Sequence, residues 1–212
     1  MPGRSGPSAQ QWQCPGTYIY DSNPNGWQYG DWYTNTNAVQ IGGPEGPNWP
    51  KLGAPPWQTT PGKDAGAPFG VSQPFALSSA ATVSCLEFLV WEYPFSPSNE
   101  SISTLYWSLD STAFGVGSGN THYGGGTAHT GAQLQQEGPV CANNEYGYKV
   151  CVVSIALPPG GLKLNAGSYY LTLTLGTELT GYPLYWDEYL TTGSAVQRPP
   201  TGPAGTMTFA IY

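Results

Sequence analysis

LKLNAGSYYLTLTLGTELTGYPLYWDE, residues 162–188, is the most regularly patterned stretch of the chain. Tyr169, Leu171, Leu173 and Leu175 alternate with Tyr170, Thr172 and Thr174, the two-residue period of a strand with one buried face. Asn165, Ala166 and Gly167 supply turn chemistry before the run, and Gly176 with Gly181 and Pro183 interrupts it afterwards. Tyr185 and Trp186 then stand beside two adjacent carboxylates, Asp187 and Glu188. Neighbours on a strand face opposite ways, so these two do not combine as an acid–base pair.

Further strands follow outward from this run. Residues 71–77 and 82–91 are both strand-like, the second apolar enough to be central. In residues 103–110, Leu105, Trp107 and Leu109 alternate with Thr104, Tyr106 and Ser108. Residues 149–157 make another strand, and residues 206–212 close the chain with Met207, Phe209 and Ile211 on one face. Shorter strands are expected at 17–20 and 38–41, and a weak one at 132–136. The glycine-rich segment 112–130 reads as a flexible loop. No segment carries a helical period. Eight or nine strands joined by Gly/Pro turns predict an all-β fold, a jelly-roll-like antiparallel β-sandwich with long aromatic-rich N-terminal loops. Residues 1–13 form a polar lead-in, and residues 14–212 a single domain that includes a Trp-rich loop region at 27–70.

Composition narrows the function classes. Gly (29) and Pro (21) are abundant enough to approach a disordered composition, but 8 Trp and 15 Tyr argue for a packed domain. Six Lys+Arg against 13 Asp+Glu leave a net charge of −7, which excludes nucleic acid and disfavours anionic membranes. No apolar run reaches the length of a membrane-spanning segment. Met1-Pro2-Gly3-Arg4 opens no signal peptide, so the chain reads as the mature form of a secreted or cell-surface protein. Four cysteines without C-x-x-C spacing, and only two His, give zinc little support. An even count in an exported chain predicts two disulfides: Cys141–Cys151 across a short loop, and Cys14–Cys85. The alternative is that some of these thiols are buried and reduced.

Four stretches carry a family likeness. VSQPFALSSAATVSCLEFLVW (71–91), YWSLDSTAFG (106–115), GYKVCVVSIALPPGGLKLNAGSYYLTLTL (147–175) and LYWDE (184–188) occur in order, ahead of a final strand. Together they resemble bacterial exported proteins that typically end in a PEP-CTERM sorting signal. The likeness covers about residues 71–212 and implies a secreted or surface β-sandwich with no established catalytic activity. The sorting signal itself, Pro-Glu-Pro with an apolar helix and a basic tail, is missing from this sequence. The expectation is therefore removal of that region or free secretion.

The aromatic display in the first quarter of the chain is the best pointer to function. Trp27, Tyr29, Trp32, Tyr33, Trp49 and Trp57 are interleaved with Asn, Gln, Asp and Gly. Flat rings stack on sugar faces while amides and carboxylates bond the hydroxyls, so these six are the candidate glycan-binding residues. The competing reading makes them plugs that pack a loop onto the sandwich. Asp187, on a strand end, is the candidate ligand for a structural calcium, with Asp21, Asn23, Asp31 or Asp110 as helpers. No other cofactor is expected. His122 and His129 read as polar loop residues, and Glu87 as an outward-facing carboxylate or a partner of Lys149 or Lys163. No nucleophile or phosphate-binding motif is present. These features predict a non-catalytic extracellular protein that binds polysaccharide or matrix glycans. The alternatives are a self-associating structural protein of the surface or of a filament, and a secreted carbohydrate-active hydrolase.

Overall fold

The computed structural model describes residues 14, 17, 19–22, 38–42, 70–92, 104–129, 141–143, 149–175, 184–190, 193–198, 206, 207 and 209–211. Its strands are β1 (Tyr20–Asp21), β2 (Ala38–Gly42), β3 (Gly70–Leu77), β4 (Ala81–Val83), β5 (Cys85–Glu92), β6 (Thr104–Asp110), β7 (His122–His129) and β8 (Cys141–Asn143). They continue with β9 (Lys149–Ala156), β10 (Leu162–Leu164), β11 (Gly167–Leu175), β12 (Leu184–Leu190), β13 (Val196–Arg198), β14 (Thr206–Met207) and β15 (Phe209–Ile211). One 3₁₀ turn, Ala113–Gly115, follows β6. No helix among the described residues is long and apolar enough to cross a membrane.

The alternating run of residues 167–175 is the middle strand of a five-stranded sheet ordered β13-β3-β11-β6-β7. The apolar strand β5 is the middle of the larger sheet. β9 pairs with it from Cys85↔Ala156 to Glu92↔Lys149, while β15 and then β12 take its other side. Every pairing in both sheets is antiparallel. Antiparallel sheets tolerate one apolar face, and here the two apolar faces meet. Val71, Phe75, Leu105, Trp107, Leu171 and Leu173 from one sheet share a single cluster with Phe88, Val90, Val153, Trp186, Phe209 and Ile211 from the other. The protein is an all-β sandwich.

Aromatic rings knit the two layers. Phe209 lies 5.7 Å from Phe75, 6.0 Å from Trp186 and 5.2 Å from Tyr20, with edge-on or tilted contacts at the first two. Such pairs add about 0.5–1.5 kcal/mol each beyond area burial. A polar group crosses the same interior. Gln73, on the inward face of β3, accepts the Met207 backbone N–H at 2.8 Å and donates its own amide to the Pro74 carbonyl at 2.8 Å. Without that acceptor the buried Met207 N–H would be stranded, at a cost of about 1–3 kcal/mol.

The segment expected to be a flexible loop is in part a strand. β7 runs antiparallel to β6 from Thr104↔His129 to Asp110↔His122. A Cβ at any of its three glycines would meet a close neighbour. A Cβ on Gly126 would press on the Trp107 indole at 3.2 Å, and one on Gly124 would meet Leu162 Cδ1 at 2.7 Å. On Gly125 it would meet the Trp107 carbonyl at 2.9 Å. Side chains from adjacent elements fill the space above this strand, so glycine composition here signals close packing. The expected strand 82–91 also breaks at Ser84, and its first part becomes β4, paired with β10.

Candidate functional site

The five-stranded sheet has a second face, opposite the core, and its residues are polar. Ser72, Thr172 and Ser108 lie side by side across β3, β11 and β6. One step along stand Pro74, Tyr170 and Asp110, and one step the other way Gly70, Thr174 and Tyr106. The Ser72 and Thr172 hydroxyls bond at 2.8 Å. Small polar residues on an outward face usually meet water, yet Ser72, Ser108 and Thr172 are 0% exposed, and Thr174 and Asp110 only 1%. Tyr106 and Tyr170 are half-buried at the two ends.

The turn that follows β6 helps to cover this face. Phe114 is buried on it, donating its backbone N–H to Ser72 Oγ at 3.2 Å. A Cβ on Gly70 would touch the Phe114 ring at 3.2 Å, so the ring lies over the β3 end of the strip. Phe114 adopts φ 59° and ψ 14°, a left-handed conformation that costs a non-glycine residue about 1–2 kcal/mol. Gly115, at φ 62°, comes next and passes so close to Asp110 that a Cβ would sit 2.9 Å from its Oδ1. Glycine is needed there for both reasons.

The base of the turn is clamped by polar side chains. Asp110 Oδ1 accepts the Asn120 amide at 3.0 Å and lies 3.0 Å from His122 Nδ1. Asn120 Oδ1 in turn accepts the Thr112 backbone N–H at 3.3 Å and the Ser111 hydroxyl at 3.3 Å. Ser111 and Thr121 close the neck, with Ser111 N–H donating to the Thr121 carbonyl at 2.9 Å. Under this well-bonded turn, three buried atoms on the sheet face have no hydrogen-bond partner among the described residues: Asp110 Oδ2, Ser108 Oγ and Thr174 Oγ1. Leaving such a group unpaired costs about 1–3 kcal/mol. Three polar groups of the strip are therefore left unmatched among the described residues.

The residues singled out in the sequence fall as follows. Trp27, Tyr29, Trp32, Tyr33, Trp49 and Trp57 lie outside the described residues, as do the lead-in 1–13 and the weak strand at 132–136. Asp187 stands on β12 opposite Ala38, and its side chain lies outside the description, while Glu188 is buried. Asp110, considered as a calcium helper, is instead engaged with Asn120 and His122 on the other sheet. Among the described residues no three His, Cys, Asp or Glu side chains gather as a metal-holding group. His122 is no idle loop residue, since it opens β7 and pairs with Asp110. His129 ends the same strand.

Glu87 faces neither solvent nor a lysine. It is fully buried, and its Oε1 accepts the Cys14 backbone N–H at 2.9 Å and the Ser154 hydroxyl at 2.8 Å. Its register partners Ser154 and Ala210 put it on the outward side of the larger sheet. Glu87 and Asp110 thus sit on different layers and do not face one another. The Cys14–Cys85 disulfide is present, spanning 71 residues. Cys141 and Cys151 stand opposite each other in the β8–β9 ladder, and their side chains lie outside the description.

Sequence reasoning missed the Asp110–Asn120–His122 clamp. Its members flank a run of Ser, Thr and Gly that reads as a loop, and only the β6–β7 ladder brings them together. Scans against protein-family models, the curated proteins and the solved structures return no match.

Proposed function

We propose that this is an exported bacterial β-sandwich that binds polysaccharide or matrix glycans without catalysing a reaction. The observation that carries the reading is the polar face of the five-stranded sheet, where a strip of hydroxyls and a carboxylate runs between the half-buried rings of Tyr106 and Tyr170. Sugars present a flat C–H face and a rim of hydroxyls, and a strip of this composition offers a counterpart to each. The likeness to PEP-CTERM exported proteins supports an extracellular setting, as does the Cys14–Cys85 disulfide. The composition of the Trp-rich stretch from Trp27 to Trp57, rings interleaved with amides and carboxylates, supports the same reading.

Titration calorimetry against neutral hexasaccharides tests this. At least one should bind, and Tyr170→Ala should weaken it about tenfold or more with little change in melting temperature. No binding to any hexasaccharide, together with particle growth in light scattering, would favour the structural and assembly alternative.

A structural calcium bound near Asp187 belongs to the same proposal, since a carboxylate on a central strand suits a hard cation with oxygen ligands. Chelation by EDTA should then lower stability by about 1 kcal/mol or more, and an unchanged melting temperature counts against the ion.

A further inference from the structure

We infer that the turn carrying Phe114 is a displaceable lid, and that the strip beneath it is a groove for a neutral oligosaccharide. This rests on the glycan reading above and names the site and its mode of opening. Three features point the same way. The lid residue is held in a left-handed conformation that its side chain disfavours, with φ 59°. The groove floor keeps Asp110 Oδ2, Ser108 Oγ and Thr174 Oγ1 buried and unmatched among the described residues. Ser111, Thr112 and Asn120 bond the neck of the turn, a fixed base about which it can swing, and Phe114 lies directly against the floor, donating its N–H to Ser72. The closed state thus leaves polar groups of the floor unused, and a ligand able to use them prefers the open state. Differential affinity of this kind is what moves a two-state element.

The arrangement of the floor selects the ligand. Asp110 and Thr174 belong to cross-strand levels two steps apart, with Ser108 at the level between. Two such steps span roughly 13 Å along a strand. One cation, with oxygen ligands at roughly 2.3–2.6 Å, does not reach both ends. An elongated ligand does, if it offers a donor to the carboxylate and exchangeable hydroxyls further on. A chain of pyranose rings has both, and one ring is close in size to the phenyl group it replaces. A net charge of −7 overall favours a neutral chain over an acidic one.

The experiment uses calorimetry with cellohexaose, xylohexaose, mannohexaose and chitohexaose on the full chain and on Phe114→Gly. Glycine accepts the φ at this position and removes the ring, so the variant should bind one of these about tenfold or more tighter than the wild type. Adding Ser108→Ala or Thr174→Val to it should return at least that factor. Equal affinities for the wild type and Phe114→Gly overturn the lid while leaving the glycan reading intact. Absence of binding by both proteins overturns the two together. Calcium chloride binding to Phe114→Gly without any sugar binding makes the floor a cation site and overturns the inference. Should Phe114→Gly fold poorly, hydrogen exchange on the wild type decides. Saturating hexasaccharide should speed exchange of the Phe114 amide about fivefold or more, because its bond to Ser72 opens. An unchanged or slower amide under saturation contradicts the lid.

Discussion

Replacing Cys14 and Cys85 together by serine is expected to lower stability by about 4 kcal/mol, measured by urea unfolding, and the melting temperature by roughly 8–16 °C. The bridge closes a separation of 71 residues, and loop-closure entropy in the unfolded chain grows with the logarithm of that length. A second term comes from its neighbour. Cys14 donates its backbone N–H to the fully buried Glu87, whose other oxygen has no partner among the described residues. If the cut lets Cys14 drift, that carboxyl group keeps only Ser154 as a donor, and a buried polar group left short of partners is costly.

The coupling can be isolated. Glu87→Gln in the disulfide-free background should cost less than Glu87→Gln in the native chain, by about 0.5–3 kcal/mol, because the contact that distinguishes them has already weakened. A total loss under about 1 kcal/mol on removing both cysteines would mean that the N-terminal segment is held by other contacts. Strict additivity of the two changes would detach Glu87 from the role argued here.

What was legible in the sequence follows from which interactions repeat along the chain. Alternation marked β6 and β11, because each buries a face against the other sheet and the pattern must recur every second residue, while apolar content marked β5. The Cys14–Cys85 link was legible because cysteines are few and their pairings few. Glu87 was half legible: it lies on the outward side of its sheet as read, but its burial was missed, because a carboxylate within an apolar strand gives no sign of what sits across from it. Its donors are Ser154, on a paired strand, and Cys14, far off in sequence. β7 was misread because its pattern is dictated by Trp107 and Leu162 rather than by its own side chains. Jelly-roll connectivity lies beyond alternation altogether, since a period of two encodes which face is buried and not which strand lies alongside. The polar strip was half legible: Tyr106, Ser108, Tyr170, Thr172 and Thr174 were marked as the outward partners of core residues. That Phe114 would fold back over them was not, because that depends on a left-handed turn at a residue whose type argues against one.

Phe209→Ala is the other substitution expected to have a large effect, costing about 3–5 kcal/mol of folding free energy and roughly 6–20 °C of melting temperature. Phe209 is fully buried and touches Tyr20, Phe75 and Trp186, rings on three other strands. Its backbone is fixed as well. It pairs with Phe88 across β5, and its N–H donates to Ser22 Oγ at 2.9 Å. Neighbours held on separate strands of two sheets have little freedom to collapse into the space, so most of the cavity should persist. The same reasoning predicts where the loss is read. Both sheets lose a shared contact, so near-ultraviolet circular dichroism and tryptophan fluorescence should report a single cooperative transition at lower urea, with the slope unchanged. Val196→Ala serves as the comparison, because Val196 is 42% exposed on β13 and should stay within about 0.5 kcal/mol of the native chain. A Phe209→Ala loss no larger than that of Val196→Ala would mean that the two sheets do not depend on this ring. The packing between the layers would then have to rest on the aliphatic side chains of β5, β6 and β11.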